Sequence, residues 1–230
     1  MKTLIIIFSS VIAFSLMSCS HDNESFDQQE KTVFNNEESD LLILKDFSKY
    51  VTSELYKQAY DAETGDIDLR EYDKVILSYN FPDKKMDLSP SLIQPTSTRS
   101  KSDVTAFIDN STLTQIQKEI FKELLAIEKP IMDDYEEIKL KVSDWDGEEK
   151  DLIIVIVNSI ISINNGINEG LNLAQTRASA KSYVCNAGVS LISGVTGFLA
   201  GALTAPTGAG PLVGYIVGGA VSIYLGANMC

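Results

Sequence analysis

"CNAGVSLISGVTGFLAGALTAPTGAGPLVGYIVGGAVSIYLGANMC", Cys185–Cys230, contains no Asp, Glu, Lys or Arg, in a 230-residue chain of formal net charge -13. Near its middle, "PTGAGP" (Pro206–Pro211) sets two glycines and two prolines in six residues, which is turn chemistry. Outward from that turn, Ala187–Ala205 and Leu212–Met229 each suit a helix, roughly 27–29 Å long at 1.5 Å per residue. Folded back as a hairpin, the two arms bring Cys185 and Cys230 to the same open end. Small residues recur at every fourth position: Ser193, Gly197, Gly201 and Ala205 in the first arm, and Gly214, Gly218, Ser222 and Gly226 in the second. That spacing puts each set on one helix face, where two backbones can approach closely. The opposite faces carry Leu191, Val195, Phe198, Leu199, Val213, Ile216, Val217, Val221, Ile223 and Leu225. Glycine costs a helix in water about 0.5–1 kcal/mol per residue. Its repeated use here implies tight packing inside the protein or an apolar solvent such as lipid, whose hydrocarbon core is about 30 Å thick.

The chain begins "MKTLIIIFSSVIAFSLMSC", with one Lys, an apolar run from Leu4 to Met17, then Ser18 and Cys19. A charged start, a short apolar core and a small residue at the cut make a secretory signal. The run falls short of the about 20 apolar residues of a membrane span. "LMSC" (Leu16–Cys19) resembles the lipobox of bacterial lipoproteins, which implies cleavage before Cys19 and its acylation, palmitate included. The polar, acidic stretch that follows, "SHDNESFDQQEKTVFNNEESD", cannot bury enough apolar surface to order itself and is expected to be a flexible tether. Its acidic cluster resembles the export signals of Bacteroidetes surface lipoproteins. Ser20 replaces the Asp that would imply inner-membrane retention. The resemblance implies a cell-envelope, outer-membrane location, with surface exposure open. Of three cysteines, Cys185 and Cys230 then remain, and outside the cytoplasm they are expected to pair as a disulfide. Closing that loop is worth roughly 3–4 kcal/mol on a chain-entropy account.

The C-terminal block itself resembles two kinds of segment. One is the glycine-zipper two-helix segment of outer-membrane lipoproteins. The other is the Gly-rich bacteriocin, a short, uncharged, disulfide-closed helical peptide that inserts in target membranes. Unlike the bacteriocins, the block has no basic patch for anionic lipid. Unlike the lipoproteins, its zipper lies far from the anchor.

Between the termini the pattern is helical. Leu44, Phe47, Val51 and Leu55 recur at helical spacing behind a Ser39 cap. Val75–Leu77 fits strand or helix. "PDKKMDLSPSLIQPTSTRSKSD" is expected to be a linker or long surface loop. A helix led by Leu113, Ile116, Ile120, Leu124 and Ile127 takes Ser111 or Thr112 as its cap and stops before Pro130. A shorter one carries Ile131, Tyr135, Ile138 and Val142. The longest keeps helical period through Leu152, Ile156, Ile160, Ile163, Ile167, Leu171, Ala174 and Ala178, although "LIIVIV" alone would also suit a buried strand. Gly166 and Gly170 weaken that helix by up to about 1 kcal/mol each and are expected to bend it.

The expected fold is mainly α: a helical bundle or sheath around or beside a C-terminal Gly-rich hairpin, with a disordered N-terminal tether. Its parts are a signal peptide (1–18), the tether (19–38), a small mostly helical region (39–81), a linker (82–110), a helical region (111–182) and the hairpin (183–230). Catalytic motifs are lacking: there is no G-x-S-x-G, phosphate loop or metal-spaced His/Cys cluster, so neither enzyme activity nor a cofactor or metal is expected. "DAETGDIDLREYD" and "SDWDGEEKD" miss the ligand spacing of a calcium loop and read as solvated turns. Net acidity argues against nucleic acid. The expected partner is the membrane, reached through the lipid and, on one reading, the hairpin; no protein partner is legible. Two functions stay open: a membrane-active, bacteriocin-like or pore-forming hairpin shielded by the acidic domain, or a structural or interaction lipoprotein in which the hairpin is permanently buried core.

Overall fold

The computed structural model describes residues 37–61, 63–64, 66–81, 101–173, 183, 185, 189–205 and 208–230. The signal peptide, Cys19 and the tether up to residue 36 lie outside the described residues, as do residues 82–100 of the expected linker and Ala174 and Ala178. The described residues form eight helices: α1 (Glu37–Gln58), α2 (Leu69–Ser78), α3 (Lys101–Asn110), α4 (Gln115–Ala126), α5 (Met132–Val142), α6 (Glu148–Leu173), α7 (Val189–Thr204) and α8 (Gly210–Met229). The expected mainly α class holds, with an isolated bridge between Tyr60 and Ile67 pinching the turn after α1.

Each helix follows from its apolar stripe. In α1, Leu44, Phe47, Val51 and Leu55 are all buried. Val75–Leu77 is helical in α2: Val75 and Ile76 are buried while Leu77 is 54% exposed, whereas a strand would put residues 75 and 77 on one face. Asp68 caps this helix by accepting from the Arg70 backbone N–H at 2.9 Å. The run "LIIVIV" lies within helix α6, whose Ile153, Ile156, Val157, Ile160, Ile163 and Ile167 are buried.

Three expectations need correction. The linker expected over 82–110 ends in a helix, α3, because Val104 and Ile108, four residues apart, both reach the core. The cap of α4 is Thr114 rather than Ser111 or Thr112. There the Gln117 backbone N–H donates to Thr114 Oγ1 at 3.4 Å and the Thr114 N–H donates to Gln117 Oε1 at 3.1 Å, a reciprocal capping box. Ser111 instead turns its hydroxyl back to the Ile108 carbonyl and closes α3. Finally, Ile116 and Ile131 project outward (43% and 54% exposed), so those stripes are narrower than their periodicity implied.

The helices pack as a sheath around a hairpin. α7 and α8 lie against one another, α1 covers α7, and α6, α3 and α4 cover α8. α2 rests on α1, and α5 on α4 and α6. One apolar cluster runs through all eight.

Candidate functional site

The hairpin is built on backbone contact. A Cβ added to Gly197 would lie 2.7 Å from the Gly214 carbonyl oxygen and 2.7 Å from the Gly218 Cα. One added to Gly201 would meet the Gly210 oxygen at 2.8 Å and the Gly214 Cα at 3.2 Å, and one on Gly210 would meet the Ala205 Cα at 2.8 Å. No side chain fits in such gaps, so α7 and α8 touch main chain to main chain in antiparallel register. Continued outward, this register sets Ser193 level with Ser222, and both are buried. Gly226 departs from the expected set: the register sets it level with Val189, the first residue of α7, yet it is exposed and a Cβ there would meet nothing within 4 Å. Gly210 joins instead. It was hidden inside the turn motif, since α8 starts at Gly210 with Pro211 in its first turn, where a missing N–H costs nothing. Gly208 makes the turn, at φ +77°.

At the open end the structure pairs Cys185 with Cys230, their Cα atoms 5.3 Å apart, within the usual range for a disulfide. Both residues are exposed. The outer faces of the arms are covered by protein: Leu191, Val195, Leu199, Val213, Ile216, Val217, Val221 and Leu225 are buried, while Phe198 and Ile223 are half-buried. Three hydroxyls of α7 bond to carbonyls of that same helix. Thr196 donates to the Ile192 carbonyl at 2.7 Å, Thr204 to that of Ala200 at 2.9 Å, and Ser193 to that of Ser190 at 3.4 Å. Polar ties to the sheath gather toward the open end. Tyr72 Oη donates to the Leu191 carbonyl at 3.5 Å, Asn168 Nδ2 to Tyr224 Oη at 3.0 Å, and Asn228 Nδ2 to the Pro130 carbonyl at 2.8 Å. Tyr183 is fully buried near the root of the hairpin, with its ring against Tyr56 and Tyr60. Burial raises the phenol pKa of Tyr72, Tyr135 and Tyr183 well above the tyrosine range.

A second glycine contact fastens the sheath itself. A Cβ on Gly166 of α6 would lie 2.1 Å from the Lys45 carbonyl oxygen of α1, and one on Gly170 would lie 2.7 Å from that of Lys49. Ser162 donates its hydroxyl to the Leu41 carbonyl in the same row. The pairs 41–162, 45–166 and 49–170 advance together, so α1 and α6 run parallel. Gly166 and Gly170 are therefore contact points between the two helices. A small-residue row, Ser162, Gly166 and Gly170 at spacing four, was the signal available. Glu169 clamps the crossing, 2.7 Å from Lys45 Nζ and 3.0 Å from Lys49 Nζ, and those hydrogen bonds hold its carboxyl below the usual range.

Among the described residues, no three His, Cys, Asp or Glu side chains converge to hold a metal ion. Asp61, in the calcium-like stretch, turns its carboxylate onto the backbone N–H groups of Glu63 and Thr64 at 2.8 and 3.4 Å, as in an Asx turn. Two helices are long and apolar enough to cross a membrane by length and composition, Glu149–Leu173 and Gly210–Met229, and more than half of the most apolar 18 residues of each is buried in the protein. The chain matches no family model, and no curated protein or solved structure is significantly similar to it.

Proposed function

We propose that this chain is a non-enzymatic, lipid-anchored protein of the bacterial cell envelope, acylated at Cys19, that carries a membrane-active hairpin in a sheathed form. One observation carries the reading: the hairpin is complete in itself. Its two backbones are zippered to each other, its Ser193, Thr196 and Thr204 hydroxyls bond to its own carbonyls, its ends are joined by Cys185–Cys230, and it carries no charge. Such a unit meets the demand of a bilayer that every backbone polar group be satisfied internally. The sheath gives its aliphatic outer faces an apolar surround, which lipid would replace. Surface lipoproteins of the Bacteroidetes type and Gly-rich bacteriocins are the likenesses behind this reading.

The structural reading, with the hairpin as permanent core, draws on a different observation. α7 has 16 residues, about 24 Å, short of the about 30 Å hydrocarbon core. Dye leakage from liposomes separates the two, using the oxidised Cys185–Cys230 peptide beside the full chain with Cys19→Ala. Leakage by the peptide supports the membrane-active reading. Absence of leakage from both, with a single cooperative melt of the full chain, makes the hairpin a core. Radiolabelled palmitate incorporation that is lost in Cys19→Ala tests the anchor.

A further inference from the structure

The helices that cover the hairpin are not equally fastened. α1 and α6 are held to each other by backbone contact at Gly166 and Gly170 and by Glu169. α4 has its capping box, Gln117 Nε2 donates to the Glu149 carbonyl at 3.2 Å, and Glu123 pairs with Lys141. α3 differs. It is 10 residues long, below the length at which helices persist alone, about 12–15 residues. The polar ties between it and α4 are exposed: Lys101 Nζ to the Ala126 carbonyl at 3.2 Å, Lys118 Nζ to the Asp109 carbonyl at 2.9 Å, and Lys122 with Asp109. Exposed pairs of this kind contribute little.

Against α8, α3 makes a shaped contact. Val104 is fully buried in the notch left by Gly219, where a Cβ would sit 2.5 Å from its Cγ2, and the ring of Phe107 stacks on Tyr215 with centroids 4.0 Å apart. The three atoms nearest to a Cβ added at Gly219 all belong to Val104, whereas those at Gly197, Gly201, Gly210 and Gly214 belong to the facing arm of the hairpin, so this notch lies off the zipper row. We infer that α3 is a strap whose release from the Gly219 notch is the first step in uncovering α8, an autoinhibitory contact of the hairpin. This rests on the membrane-active reading for its purpose, though not for its test.

The same geometry supplies a lock. A Cβ at position 219 would lie 3.4 Å from that of Val104, close to the about 3.5–4.5 Å of disulfides, so V104C/G219C can bolt the strap in place. V104A loosens it without adding an atom, and G219A pushes it out. The oxidised full chains carry Cys19→Ala, peptide mapping confirms that Cys185–Cys230 remains paired, and amide hydrogen exchange is followed in α8 and α6. The expected result is exchange in α8 about tenfold faster in V104A, faster again in G219A, and slower than wild type in the locked protein, with α6 little changed. Equal α8 exchange in locked, wild-type and V104A proteins overturns the inference. Leakage from phosphatidylethanolamine–phosphatidylglycerol vesicles is measured alongside. Leakage abolished by the lock supports the strap, and leakage the same with and without it overturns it. No leakage from any variant or from the oxidised Cys185–Cys230 peptide, with α8 exchange responding as expected, leaves the strap standing and removes the membrane-active reading.

Discussion

Gly166→Ala separates two accounts of the same glycine by the sign of its effect. If Gly166 merely weakened α6, alanine would stabilise the protein by about 0.8–1 kcal/mol through helix propensity. In the structure its Cβ would lie 2.1 Å from the Lys45 carbonyl oxygen and 3.0 Å from Ser48 Cβ. The obstacle is main chain, which cannot rotate aside as a flexible side chain does, so α1 and α6 must part by about an ångström to reach ordinary contact. Overpacking of this kind costs about 1–3 kcal/mol, and a backbone obstacle argues for the upper end. After the propensity gain is subtracted, the net loss is about 2 kcal/mol, or about 4–8 °C in Tm for a domain of this size. Gly226→Ala is the control, because nothing lies within 4 Å of its Cβ; it should be neutral or stabilising by up to about 1 kcal/mol. Thermal and urea unfolding followed by circular dichroism read both. A Gly166→Ala protein that melts at or above wild type would refute the contact account.

Removing the disulfide with C185S/C230S should cost about 4 kcal/mol on the chain-entropy account for a pair 45 residues apart, read as a lower urea midpoint under oxidising conditions; an unchanged midpoint would mean the hairpin does not need its clasp. Thr114→Ala should lose about 1 kcal/mol with its capping box, whereas Thr112→Ala should change little in the same urea titration. Burial keeps the phenols of Tyr72, Tyr135 and Tyr183 protonated in the folded state far above the range of about 10 at which the unfolded chain ionises. Stability from this source is therefore intact below about pH 10 and falls as pH rises beyond it, since the unfolded state alone releases the protons. Urea midpoints at about pH 8 and about pH 11, with tyrosinate absorbance alongside, test this; full tyrosinate absorbance near pH 10 with helicity retained would contradict it.

Helices written in strong periodicity are legible in the sequence: α1, α4 and α6 each show a stripe of four or more apolar residues, and a charge-free segment with spacing-four glycines can do little but pair with itself. Gly197, Gly201, Gly214 and Gly218 all lie in the contact row for that reason. What escaped was carried by single residues or by the partner. α3 contributes two buried side chains in ten residues and sits in a Pro/Ser/Thr-rich setting, so composition outweighed pattern. Gly210 was masked by turn chemistry, although a helix can begin at such a Gly-Pro step. The role of Gly219 depends on Val104, more than a hundred positions away, and that of Gly166 on the carbonyl of Lys45. No property of either glycine alone names the element that will fill its notch.

The parallel pairing of α1 with α6 sets an order of assembly. α7 and α8 meet across a turn of a few residues, a search completed on the microsecond scale of local contacts. The Leu41–Ser162 contact closes 121 residues and needs both helices formed and aligned before it returns any free energy. During folding, the hairpin can therefore form before the α1–α6 groove closes, and for that interval its aliphatic faces are open to whatever lies nearby. Vesicles or a chaperone added at the start of refolding would compete with the sheath for those faces, and the same additions after folding would find them covered.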